Sequence, residues 1–522
     1  MLKGYRAAAV VVGLAFLVVL SVLAREQNGP PSHEEVTLSG EIPATFYMPG
    51  TENRPGPNDP FYQLFPSPPE KRPPGVVLIH GFTSDRVATS SLARRLAQNG
   101  YGVLAIDLSG HGENRNPFSR EKLRDDVSTA VAFLRQSPLV DPSRIVVMGH
   151  SMGAGATIDY ASRDRNLAAA VMISGGFSLD GPERPRNALW IYAQNDLPFF
   201  PMLAQLMSSH VAGVDKVELG KRYGDFANGT AVEAIEVPRT NHLTILWSSV
   251  AAQQIIEWLD SACNVKRDGA INLADPRLNT ILLVLLLFTL LMFPVGRVVG
   301  SFADRHERPA FDRDTLVALV VLLVALFVAM PLTMVTVPMS FVSLVVGNAM
   351  VSWVALAGGL LLVFAAFQRP DETRNLVRGT GRSLTVALFA FAAIYVMSAY
   401  DVTLHRATFT PERMVITLVG AILAFPFFVA MELMLRRGSV IVASLLTGAG
   451  FVLILIATTA GLSLGAIPFG VATPAMAIQF LEMELLAAGM YAVSSDLLAI
   501  AAFESLWFVR LFALAMPIVF KF

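Results

Sequence analysis

Apolar residues fall along the chain in three regimes. Residues Ala7 to Ala24 form an 18-residue apolar run behind Lys3 and Arg6 and ahead of Arg25 and Glu26. This is the pattern of a signal anchor, or of a cleavable signal peptide cut near the small residues around Ala24. Either reading exports the segment that begins at Arg25. From Glu26 to about Leu278, short apolar runs alternate with charged and Pro-rich stretches, enough chain for one large domain with its own core. From Asn279 long apolar stretches return, at roughly 279–298, 315–337, 341–367, 383–402, 413–435, 439–462, 466–493 and 496–520. Each approximates the ~20 residues a helix needs to cross a ~30 Å hydrocarbon layer. The expected organisation is residues 1–25 as anchor or signal, 26–278 as a soluble domain and 279–522 as an all-α integral membrane domain of about eight helices.

Within the soluble part the pattern switches repeatedly between strand-like runs and helical spacing. His33–Leu38 and Ile42–Met48 read as opening strands, followed by Gly75–His80, Gly102–Asp107, Arg144–Met148, Ala168–Ser174, Ala188–Ala193 and Ala231–Val237. Helical spacing occupies Ser90–Asn99, Glu121–Arg135, a segment from Ala154, and Ser248–Leu259. Strands alternating with helices predict an α/β domain with a mostly parallel sheet.

Composition agrees with a membrane protein, since only 16% of residues are charged against 53% hydrophobic. Soluble domains run near ~25% charged. A net charge of −1 supplies no field to attract a polyanion, so nucleic acid is not an expected partner. The single cysteine, Cys263, excludes an intrachain disulfide and a cysteine-rich metal cluster. Orientation follows from cationic residues in the connections. With the N-terminus inside, twelve (Lys3, Arg6, Arg297, Arg305, Arg308, Arg313, Arg369, Arg374, Arg378, Arg382, Arg436, Arg437) are inside against seven outside (Arg25, Lys266, Arg267, Arg277, Arg406, Arg413, Lys521). The soluble domain is therefore expected on the extracytoplasmic side of the cell membrane.

The sharpest chemical signal is Gly149-His-Ser-Met-Gly153, directly after the apolar run Ile145–Met148 and before the small-residue segment Ala154-Gly-Ala-Thr157. A serine on a tight strand-to-helix turn needs glycines on both sides. Together with Leu78-Ile-His-Gly-Phe-Thr83, Asp107-Leu-Ser-Gly-His-Gly112, Gln194-Asn-Asp196 and Thr240-Asn-His242, this motif resembles the α/β-hydrolase superfamily over about residues 33–262, in its esterase, lipase and peptidase-like branch. The resemblance implies an α/β-hydrolase fold, with Ser151 as nucleophile, Asp196 after one strand as the acid, and His242 after the last strand as the base. It also implies an oxyanion hole from the amides of Phe82 and Met152. His210, Asp215 and Asp225 fit the strand-end positions less well, while Asp107 and His111 precede the nucleophile and read as a structural turn. His80 and His150 are expected to shape the loop beneath the oxyanion hole and to pack beside the nucleophile turn.

Between Asp196 and His242, Leu197–Val211 forms an apolar, helix-prone insertion, either a core helix completing the sheet or an element guiding an apolar acyl chain. In the membrane half Glu432, Glu482, Glu484, Glu504 and Arg510 stand out, because ionisable groups in spans are costly and find partners. Glu504 and Arg510 are six positions apart, which points to partners on neighbouring helices. The expected activity is a membrane-bound serine hydrolase acting on an ester, thioester or amide of a lipid-like or acylated envelope substrate, with the lipid bilayer as its other partner. No cofactor or metal is expected. The alternatives are an acyltransferase or peptidase using the same site, or a non-catalytic transporter or assembly protein with a hydrolase-shaped domain.

Overall fold

The computed structural model describes residues 2–49, 72–176, 184–337, 343–344, 347–376, 380–398, 409–463 and 473–519. Helix α1 (Leu2–Gln27) opens the chain. Strand β3 (Pro74–Ile79) is buried at every position, as a strand covered on both faces must be. Its alternate residues serve two cores, Val77 and Ile79 facing one and Val76 and Leu78 the other. Strands β4 (Gly102–Ile106) and β5 (Asp141–His150) divide their side chains in the same way, so helices cover both sides. Helices α2 (Ser90–Gln98) and α6 (Ser249–Ala262) pack on one face. Helices α3 (Arg120–Gln136), α4 (Met152–Ala161) and α5 (Phe199–Ala212) pack on the other.

With β1 (His33–Leu38), β2 (Ile42–Tyr47), β6 (Ala169–Ile173), β7 (Ala188–Ala193) and β8 (Val232–Val237), the sheet runs β1-β2-β4-β3-β5-β6-β7-β8. The pairs β1–β2 and β2–β4 are antiparallel and the others parallel. Parallel register brings the carboxyl ends of β3 to β8 to one edge, and the loops after these strands open there.

The remaining chain is helical: α7 (Arg277–Gly300), α8 (Arg313–Thr336), α9 (Gly347–Gln368), short α10 (Pro370–Leu376), α11 (Thr380–Met397), α12 (Pro411–Leu435), α13 (Val440–Ser463), α14 (Thr473–Tyr491) and α15 (Leu497–Ala515). Among the described residues seven helices, α1, α7, α8, α9, α12, α13 and α15, are long and apolar enough to cross a membrane. Parts of the expected spans (341–342, 345–346, 399–402, 466–472 and residue 520) and Arg378, Arg406 and Lys521 of the charge count lie outside the described residues. On α7 the stripe Leu282, Leu286 and Leu290 is exposed, a surface suited to hydrocarbon rather than water. Helices α7 and α14 meet backbone to backbone: a Cβ on Gly296 would lie 2.0 Å from Leu486 O, the close approach that small residues permit.

The intramembrane charges find partners on neighbouring helices. Arg436, at the carboxyl end of α12, bonds both Glu484 oxygens at 3.0 and 2.7 Å, Glu504 at 3.3 Å, and Glu432. Glu482 accepts from Thr289 at 3.0 Å and Gln479 at 3.0 Å, and Arg510 donates to Ser398 at 2.9 Å. One expectation needs correction. Arg413 entered the charge count as a residue of a connection, yet it lies in the first turn of α12; like Arg436 and Arg437, which do lie in the connection after α12, it is buried and paired with protein groups. Desolvation demands such partners. The majority of cationic residues in the inside segments survives their removal.

The two parts touch at the same end of the bundle. Arg94 on α2 donates to Gly29 O at 3.0 Å just past α1, and Arg115 pairs with Glu412 at the start of α12. Arg413 and Ile518 bind the segment after β4. The loops following β3 and β4, at the carboxyl edge of the sheet, therefore face the helical bundle, and Phe82 packs against the bundle's apolar core.

Candidate active site

Strand β5 ends at His150 and α4 begins at Met152, so Ser151 makes the turn alone, at φ 54° and ψ −114°. A side chain at positive φ is strained. The turn is held by the Ser151 amide donating to Ile173 O at 2.8 Å and by two close approaches. A Cβ on Gly149 would stand 2.3 Å from Gly153 O, and one on Gly153 would stand 2.5 Å from His80 O. Both positions exclude any side chain, which is the physical content of the motif. The Ser151 side chain is left partly exposed at the carboxyl edge of the sheet.

Asp196 follows β7 and His242 follows β8, and the structure joins them: His242 Nδ1 donates to Asp196 Oδ1 at 2.8 Å, with both side chains buried. Asp196 Oδ1 also accepts from the Leu197 amide at 2.9 Å. The imidazole packs against Phe200, 4.2 Å away between ring centroids, and His150 at 4.7 Å. With Nδ1 engaged, Nε2 is the nitrogen able to accept a proton. His150 adjoins Ser151 in the chain, and its Nε2 lies 2.7 Å from His242 O, which brings the last strand's loop to the serine turn. Burial, reinforced by His242, pushes the His150 pKa well below its usual value. Among the described residues no hydrogen bond joins the Ser151 hydroxyl to His242.

Gly81, the residue before Phe82, lies against the serine turn. A Cβ on Gly81 would lie 3.0 Å from His150 Nδ1 and 3.4 Å from Ser151 Cβ. The Met152 amide opens α4. Among the described residues neither amide donates to a backbone carbonyl, so both remain available to an oxyanion.

The other titratable residues take structural parts. His80 accepts from the Leu108 amide at 3.0 Å and contacts Gly81 O at 2.7 Å, and burial lowers its pKa. Asp107 accepts from the Arg86 and Glu113 amides at 2.9 Å each and from the Arg86 guanidinium. His210, Asp215 and Asp225 are exposed and make no contact with His242. Sequence reasoning missed Phe200 as the face against which the imidazole rests, and Arg413 as the anchor of the turn at Gly110. The signal for Phe200 was its place in the apolar insertion; nothing local distinguishes Arg413 from a connection charge.

A family model described as serine aminopeptidase, S33, matches residues 71–212. A putative alpha/beta hydrolase of Acanthamoeba polyphaga mimivirus is 26% identical over 211 residues, 39% of this chain and 75% of its own length. A polyketide transferase of Aspergillus fumigatus is 28% identical over 130 residues, 24% of this chain and 44% of its own. Cutinase 2 of Thermobifida cellulosilytica is 32% identical over 114 residues, 20% and 42% respectively. The chain thus spans less than half the length of the latter two.

Proposed function

We propose that the protein is a membrane-bound serine hydrolase: residues 71–212 match a hydrolase family model, the sheet is that of an α/β hydrolase, and the domain is joined to a bundle of apolar helices. It cleaves an ester, thioester or amide of a lipid-like or acylated substrate. The observation that carries the substrate class is the facing of the site: the loops after β3 and β4, beside Ser151, are the ones held by the membrane helices, and Phe82 packs on their core. A substrate lying in or on the bilayer reaches such a site without crossing the soluble domain.

Ser151 Oγ attacks the acyl carbon while His242 Nε2 takes its proton. Asp196 holds Nδ1–H and stabilises the imidazolium that forms. The Phe82 and Met152 amides bind the oxyanion, each such donor being worth ~10²–10³ in rate. His242 returns the proton to the leaving group, then deprotonates a water that attacks the acyl enzyme, releasing the acid and restoring Ser151. The similarity to a polyketide transferase favours, as a second reading, an acceptor other than water in that last step. An added alcohol that diverts product from acid to ester would identify it.

The test is labelling of the detergent-solubilised full chain with a fluorescent fluorophosphonate. Wild type is expected to label, with labelling lost in Ser151→Ala and in His242→Ala. A folded wild type that stays unlabelled, or labelling that persists in Ser151→Ala, would remove the reading.

A further inference from the structure

One membrane residue reaches the oxyanion side of the site. Arg413, in the first turn of α12, is 1% exposed. Its guanidinium donates to Gly110 O at 2.8 Å and Gly112 O at 3.1 Å, the carbonyls on either side of His111. In the other direction it donates to Ala513 O, to Leu514 O at 3.3 Å and to Met516 O at 3.1 Å, at the end of α15. Ile518 completes the clasp, its amide donating to Gly110 O at 2.9 Å and its carbonyl accepting from the Phe118 amide at 2.8 Å. A planar fork with five donors suits this task, since it grips two backbone segments at once.

His111 carries the constraint to the site. Its Nε2 lies 2.8 Å from Phe82 O and its Nδ1 3.0 Å from Ser109 O. Its ring packs edge-on against Phe82, at 6.0 Å, and Phe118, at 5.6 Å. Burial holds the His111 pKa well below its usual value, and both ring nitrogens face backbone carbonyls.

We propose that Arg413 is a positioning residue for the hydrolase reaction. By clamping the Gly110–Gly112 turn to the end of α15, it seats His111 against the carbonyl and ring of Phe82 and so holds in place the residue whose amide, one peptide earlier, serves the oxyanion. The membrane domain is thus part of the catalytic apparatus and not only a tether. This assignment rests on the hydrolase reading of Ser151, Asp196 and His242.

A displacement of ~1 Å in a reacting arrangement costs up to ~10²-fold in rate. Arg413→Ala in the full chain is therefore expected to lower kcat for a short-chain ester by ~10–100-fold while KM changes by less than ~3-fold, because the oxyanion donors act on the transition state. Arg413→Lys retains the charge and three donors and is expected to recover part of that loss. His111→Phe keeps an aromatic ring while deleting both nitrogen contacts, and is expected to reproduce the kcat loss. A rise in KM with kcat unchanged in Arg413→Ala, or a wild-type kcat in His111→Phe, would overturn the proposal. The second criterion holds even where Arg413→Ala does not fold. An unlabelled, inactive wild type would instead sink the hydrolase reading itself, and this assignment with it.

Discussion

Asp126 on α3 lies beneath the turn that Arg413 clasps, accepting from the Ser109 amide at 2.7 Å and its hydroxyl at 3.1 Å. Burial outweighs these bonds and raises its pKa to about 6. An unfolded Asp titrates near ~3.9, so as pH rises from about 4 to about 6 the unfolded chain releases a proton that the folded chain keeps. Stability therefore falls across that window and is level above it, by at most ~3 kcal/mol for a shift of about two pH units. Asp126→Asn keeps an acceptor for the Ser109 amide and does not titrate. Its apparent unfolding temperature in detergent should change less between pH 4 and pH 7 than that of wild type, and equal slopes would assign the pH dependence elsewhere. At this scale the sequence was legible wherever a residue's part is set by its place after a strand. The strand-end places of Ser151, Asp196 and His242 were readable in this way, and the structure brings Asp196 onto His242. Asp126 and Arg413 were not legible, because their parts depend on a buried turn and on carbonyls that lie far from Arg413 in the chain.

Helix α5 resolves into two faces that sequence alone left as alternatives. Ala204 and Val211 enter the core beside β7 and β8, and Phe200 is buried against His242. Met202 and Leu206, one turn apart, are 60% and 56% exposed. The helix thus completes the sheet with one face and presents apolar side chains with the other. A substitution at Phe200 would disturb the His242 imidazole, the base of the proposed reaction, and impair every ester alike, so it cannot test acyl guidance. Met202→Ser combined with Leu206→Ser is the informative change. It should lower turnover of long-chain esters in vesicles by ~5–30-fold, the ~1–2 kcal/mol expected for losing part of two apolar contacts, and leave short soluble esters unchanged. Equal effects on both would make the exposed pair incidental. The strands were readable because two-sided burial leaves unbroken apolar runs such as Gly75–Ile79. The faces of α5 were not, since an apolar stretch at helical spacing looks the same whether a core, a ligand or a bilayer covers it.

Taken whole, the molecule has one end of its helical bundle fastened to the carboxyl edge of the sheet, and the opposite end carries the segments 301–312 and 369–376, with Arg305, Arg308, Arg369 and Arg374. Arg436 and its three glutamates lie toward that opposite end, at the close of α12. The excess of cationic residues there predicts that this end is cytoplasmic and the hydrolase domain extracytoplasmic. The protein carries its own means of testing this. Its only cysteine, Cys263, is buried, and burial pushes its thiol up to about 12, so it stays protonated and unreactive toward maleimides at neutral pH. A cysteine introduced at exposed Asp268, on the surface of the hydrolase domain, should react with a membrane-impermeant maleimide while the membrane is intact. One introduced at exposed Arg305, in the connection between α7 and α8, should react only after permeabilisation. The opposite pattern would place the hydrolase domain on the cytoplasmic face, and the proposed lipid-like substrate would then have to be sought in the inner leaflet.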